Sequence, residues 1–186
     1  MPNQSPARHY PENFVAHLRA LAARRPDDTA LIVVTERDGA ALDTPLSYAL
    51  LERRVRALAA RLQQRFSAGE RVLLLLDNDD HYVVSFFACM YAGLIAVPVF
   101  PPESARPQHL ARLAGIAEDA QAACILTSGA ILEMVGDAMS AFGGAAVIAA
   151  DIIAIGMAEE WAEREPLSGD VAFLQYTSGS TSTPCR

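Results

Sequence analysis

The 186-residue chain lacks a basic excess, a long apolar run and any paired or clustered set of cysteines. Its net charge is −7, from 22 acidic and 15 basic side chains, so it has no positive footprint of the kind nucleic-acid binders use to displace counterions. The longest apolar stretch, residues 143–158, is interrupted by Asp151 and falls short of the ~20 residues a bilayer requires. Residues 1–13 hold no apolar signal-peptide core, which points to a cytoplasmic protein without a membrane span. Cys89, Cys124 and Cys185 are odd in number and have no metal-ligand spacing. Two of them lie in apolar runs, as buried free thiols do. His9, His17, His81 and His109 share no spacing and read as surface or packing residues.

What is present is enough apolar material for a core. Hydrophobic residues make up 52% of the chain and charged residues 20%, which excludes disorder throughout. No internal repeat, low-complexity tract or domain boundary is visible. From Glu12, helical spacing places Phe14, Leu18, Leu21 and Ala22 on one face, and Pro26 stops the helix. Residues 29–35 read as a strand, Asp38-Gly39 as a hairpin turn, and residues 44–46 as the partner strand. Ser47 caps a long helix whose apolar stripe is Leu51, Val55, Leu58 and Leu62, with Arg53, Arg54, Arg56 and Arg61 on its solvated flank.

Further on, helices and strands alternate. Gly69 ends the long helix, and residues 71–76 form a continuous apolar strand buried on both faces. Asp77 to Asp80 supply a turn and a capping aspartate rather than a metal site, and residues 81–92 form a helix closed by Gly93. Residues 94–100 are a strand whose Pro98 must sit at an edge or bulge. After a proline-rich connector come a helix over 108–120, a strand over 123–127, and a helix capped by Ser128 and running to Ala141. Residues 145–150 and 171–176 are further strands, joined by a surface connector over 161–170 in which Trp161 has no evident ligand role. The pattern predicts an α/β fold with a largely parallel sheet flanked by helices.

Immediately after the last strand stands the loop Tyr176 to Thr181. Gly179 allows positive φ, Thr177, Ser178, Ser180 and Thr181 each bring a hydroxyl, and successive amides in such a turn can form an anion-binding nest. It is a phosphate cradle in physical terms, although the common G-x-x-x-x-G-K-[ST] spacing occurs nowhere in the chain.

The string LQYTSGST resembles the phosphate-loop signature of the adenylate-forming (AMP-binding) enzymes. LSYALLERRVRALAARL and MYAGLIAVPVFPP resemble two earlier conserved regions of that superfamily, in the same order. AFLQYTSGST and the VPVFPP ending are most similar to its fatty acyl-AMP ligases. The resemblance implies that a fatty acid carboxylate attacks the α-phosphorus of ATP, giving acyl-AMP and pyrophosphate with Mg2+ as cofactor. The acyl group then passes to the phosphopantetheine thiol of an acyl carrier protein, in lipid, polyketide or nonribosomal peptide synthesis. It further implies nucleotide phosphate binding by Thr177, Ser178, Gly179, Ser180 and Thr181, and assigns no catalytic residue.

The likeness decays at the very end. Where the family loop continues with glycine, a variable residue, proline, lysine and glycine, this chain has Ser182, Thr183, Pro184, Cys185 and Arg186. Cys185 therefore brings no positive charge where the family has lysine. On this reading residues 1–12 are a tail and 13–186 are the incomplete N-terminal part of the family's large domain, without the C-terminal domain. A frameshift or early stop would explain the decay, and a marginally folded polypeptide without ATP turnover is the expectation. Two other readings remain: part of an acyl-CoA synthetase or amino-acid adenylation domain, or a non-catalytic pseudogene-like product.

Overall fold

The fold is built around one strand with no solvent-facing side. In a computed structural model, which describes residues 13–102, 107–136, 139, 142–167 and 169–177, β3 (Arg71–Leu75) is the inner strand between β4 (Ile95–Val99) and β5 (Ala122–Thr127). With β6 (Ala146–Ala149) they form a four-stranded parallel sheet in the order β4-β3-β5-β6. Side chains alternate across a strand. Val72 and Leu74 therefore enter one cluster with Val55, Leu58, Leu62 and Ala88, whereas Leu73 and Leu75 enter a second with Leu110, Leu113, Ile116 and Ile131.

The first cluster is closed by α2 (Tyr48–Gln63) and α3 (Asp80–Ala92), the second by α4 (Pro107–Asp119) and α5 (Gly129–Val135). This is the expected sheet covered on both faces. α2, α3 and α5 start where the sequence offers a cap: Ser47 Oγ accepts from Leu50 N, Asp79 from Tyr82 N, and Ser128 Oγ from Ile131 N. The Asp77–Asp80 cluster is thus a strand-to-helix turn. Asp80 forms an ion pair with Arg54, whose Nη2 also donates to His81 Nδ1 at 3.2 Å. Partial burial pushes the Asp80 carboxyl up, but the Arg54 guanidinium prevails and holds it below the usual carboxylate range.

The N-terminal part stands apart from this sheet. β1 (Thr29–Arg37) and β2 (Ala40–Ser47) pair antiparallel through the two-residue turn Asp38-Gly39. Both turn residues have positive φ, 54° and 77°, the geometry that matches the right-handed strand twist. In α1 (Phe14–Arg24) the inward residues are Val15 and Leu18, and Phe14 is 66% exposed. Of the expected face Phe14, Leu18, Leu21 and Ala22, Leu18 is buried and Leu21 and Ala22 are half-buried, but Val15 takes the inward place of Phe14, the first residue after the Asn13 cap.

Three further expectations need correction. The helix from Gly129 ends at Gly136 rather than Ala141, since Gly136 takes φ 52° and its N–H closes onto Leu132 O. Residues 155–160, to which the sequence assigned no element, form a 3-10 segment against α2, whose Arg56 Nη1 donates to Ala158 O at 3.3 Å. Trp161 is likewise not a plain surface residue. Its indole N–H donates to Tyr91 O at 3.2 Å, its ring lies 5.2 Å from Tyr91, and Arg19 stacks over it at 5.3 Å.

The third correction concerns the last strand. Residues 171–176 make one parallel bridge, Ala96 to Phe173, with Ala96 N donating to Ala172 O and Leu174 N to Ala96 O. The backbone groups of Ala96 face this outer edge, and those of Pro98, two residues on, share that direction. Pro98 has no N–H to offer there, so the ladder cannot continue. Pro98 sits on the sheet's edge strand, as expected from its residue type.

Gly93 closes α3 with φ 74°, and a Cβ there would run into the Arg164 guanidinium. Gly93→Ala is expected to lower stability by about 1–2 kcal/mol through the left-handed backbone alone, with Arg164 displaced from its bond to Gly93 O. Urea unfolding would show it as a lower midpoint; an unchanged midpoint would mean that the α3 end relaxes freely.

Candidate functional site

Parallel α/β sheets bind ligands outside the carboxyl ends of their strands. A cleft of about 380 Å³ lies there in this molecule. Its walls come from the turn after β3 (Leu76, Asn78), from the first turn of α3 (Tyr82) and from the end of β4 (Pro98 to Pro101). Arg112, Leu113 and Ile116 of α4 form a further wall, and Gln175 and Tyr176 complete it. The last two directly precede the hydroxyl-rich loop.

The approach to that loop is held in three ways. Ala96 provides the bridge to Phe173. The Phe173 ring packs 5.5 Å from Phe86 of α3. The Tyr176 hydroxyl donates to Asp119 Oδ2 at the end of α4. Burial, and then the adjoining Asp119 carboxylate, push the Tyr176 phenol up to about 12. A phenol held protonated in this way remains a donor across the physiological range.

Of the expected phosphate-binding residues, Thr177 lies in the described part, directly after the cleft wall. Ser178, Gly179, Ser180 and Thr181 lie outside the described residues, as do the departures at Ser182 to Arg186. The sequence reading missed Asn78, Tyr82 and Arg112. Asn78 was reachable in principle, since it stands just past a strand end. The side of α4 that Arg112 occupies depends on packing that no local pattern reveals.

Among the described residues no group of three or more His, Cys, Asp or Glu side chains could hold a metal ion, so none is assigned to magnesium. Cys89 and Cys124 are free and buried, as expected, and burial pushes both thiols up, Cys124 to about 12. Among the described residues no helix is long and apolar enough to cross a membrane. All fifteen basic residues of the chain are arginine.

The model of the AMP-binding enzyme family matches residues 18–184. The chain belongs to that family. It is 39% identical over 179 residues to the long-chain-fatty-acid–AMP ligase FadD32 of Mycolicibacterium smegmatis, covering 92% of this chain and 28% of that protein. It is 38% identical over 144 residues to the medium-chain-fatty-acid–[acyl-carrier-protein] ligase JamA of Moorena producens, covering 75% of this chain and 24% of that protein. A fatty acyl-adenylate ligase from L. pneumophila, solved with acyl adenylate and pyrophosphate, superposes with a TM-score of 0.76 at 29% identity, covering 90% of this chain and 28% of that one. The chain thus spans about a quarter of the length of these relatives.

The Tyr176–Asp119 contact has a direct spectroscopic test. Absorbance at 295 nm, taken as the difference between the protein and its Tyr176→Phe variant, reports this phenol alone. Its midpoint is expected near 12 and should fall toward the ordinary tyrosine value in Asp119→Asn. Because the folded-state value is raised, the associated stability is present below pH ~10 and is lost as pH rises through the folded value. A midpoint unmoved by Asp119→Asn would separate Tyr176 from Asp119.

Proposed function

We propose that these residues are the N-terminal part of an ATP-dependent fatty acid-activating ligase, and that Thr177 to Thr181 grip the β- and γ-phosphates of ATP. The observation that carries this reading is positional. A loop of four hydroxyls and one glycine comes directly after the segment that walls the cleft at the carboxyl ends of β3 and β4. The fatty acid–AMP ligases among the relatives support the choice of substrate.

The chemical logic is that of an activated acyl group. A carboxylate is a poor acyl donor, and attack on the α-phosphorus converts it to a mixed anhydride as pyrophosphate departs. Charge then accumulates on the leaving group, where preorganised hydroxyl and amide donors are most effective. Magnesium would supply further charge neutralisation. The acceptor of the acyl group is a carrier-protein thiol on this reading, supported by the likeness to JamA. Coenzyme A is the second reading, favoured by 34% identity to a putative fatty-acid–CoA ligase, fadD25, of Mycobacterium tuberculosis. The cytoplasm, which keeps thiols such as Cys89 and Cys124 reduced, is the proposed setting.

By themselves the 186 residues are expected to be inactive. With no lysine in the chain and Cys185 at the position that resembles the family lysine, the loop lacks its nearest cation. Fatty-acid-dependent pyrophosphate release is the measurement. The chain alone should give none. A chimaera carrying it in place of the matching segment of the L. pneumophila ligase should turn over, Thr177→Ala or Thr181→Ala should each slow it by roughly 10²-fold, and Cys185→Lys should speed it. Adding carrier protein or coenzyme A to the chimaera separates the two acceptors. A chimaera that folds yet is indifferent to both threonines would sink the phosphate-loop assignment.

A further inference from the structure

The cleft walled by Gln175 and Tyr176 has an unusual charge balance for a protein of net charge −7. Among the described residues Arg112 is the one cationic side chain that lines it, and no acidic side chain does. Four arginines elsewhere are used structurally: Arg54 on Asp80, Arg56 on Glu52, Arg71 on Ala120 O, Arg164 on Gly93 O. Arg112 is exposed and makes no hydrogen bond or ion pair among the described residues. Asp119, seven residues further along α4, is engaged by the Tyr176 hydroxyl.

The geometry points to Arg112 as the anchor for the carboxylate of an amphiphilic monoanion, a fatty acid, whose chain lies on the apolar walls of the same cleft. Leu76, Val99, Phe100, Leu113 and Ile116 supply those walls. One planar guanidinium matches one carboxylate in a two-point contact, whereas a triphosphate needs several positive charges. The apolar walls also favour a ligand with a hydrocarbon body over an inorganic anion. The position suits the reaction, since Tyr176 of the cleft wall is followed directly in sequence by the residues that would hold ATP. The identity of the ligand rests on the fatty-acid reading above; the charge and shape of the cleft do not.

Calorimetric titration of the 186-residue chain, without ATP, tests this. Three probes divide the ligand into parts: dodecanoate, dodecanol with the same tail and no charge, and pyrophosphate with charge and no tail. Dodecanoate should bind more tightly than dodecanol, and Arg112→Gln should weaken it by about fivefold, the scale of a partly solvated ion pair. Arg112→Lys should restore part of the loss. Arg53→Gln, which removes another exposed guanidinium outside the cleft, should change nothing. Absent dodecanoate binding, equal affinity for dodecanol, an equal loss in Arg53→Gln, or Arg112-dependent binding of pyrophosphate in place of dodecanoate would each overturn the assignment. Pyrophosphate release by the chimaera is read separately. Turnover indifferent to Arg112 removes only this inference, and Arg112-dependent binding without turnover removes only the activation reading.

Discussion

The structure depends on the burial of β3 on both faces. Val72 to Leu75 are fully buried, and each alternates into a different hydrophobic cluster. A strand with apolar side chains on both faces must be covered twice, and parallel neighbours joined through helices are the way to do it. That requirement places α2 and α3 on one side and α4 and α5 on the other. The same arrangement brings the carboxyl ends of the strands, and so the cleft, to one rim of the sheet. Fully burying four such side chains contributes on the order of 1.5–3 kcal/mol each before chain entropy is set against it.

A second constraint acts at the edge. Pro98 removes the backbone donor that would extend pairing beyond the Ala96–Phe173 bridge. The approach to the loop therefore gains its position from side chains, through Phe173 on Phe86 and Tyr176 on Asp119, more than from a β ladder. Side-chain contacts permit adjustment where a continuous ladder would fix register.

Much of this was legible in the sequence because it is encoded locally. Ser47, Asp79 and Ser128 announce helix starts, Asp38-Gly39 the hairpin, Gly93 a helix end, and the apolar run from Val72 a doubly buried strand. What escaped is encoded at long range. Trp161 meets Tyr91 across 70 residues, and the 3-10 segment at Ile155–Glu160 has neither helical nor strand periodicity to betray it. Phe14 was misplaced because the cap at Asn13, not apolar spacing, sets the phase of α1. The cleft is legible only in part. The loop was singled out from residue type, and Arg112 needed the packing of α4.

An arginine-only chain constrains the chemistry in its own way. Guanidinium stays protonated throughout the accessible pH range, so no side chain here can serve as a basic amine in proton transfer. Its forked donors suit fixed pairing, and most described arginines are used so, on carboxylates or carbonyls that hold helices and strap together. The cleft thus offers an apolar wall and, among the described residues, one cationic side chain, Arg112. Stabilising a departing pyrophosphate requires more charge than Arg112 supplies. If activation takes place here, the remaining electrostatic work falls to the amides and hydroxyls of the loop, to magnesium, and to residues outside this segment. That division explains how a segment can keep the architecture of its family while carrying few of its charges.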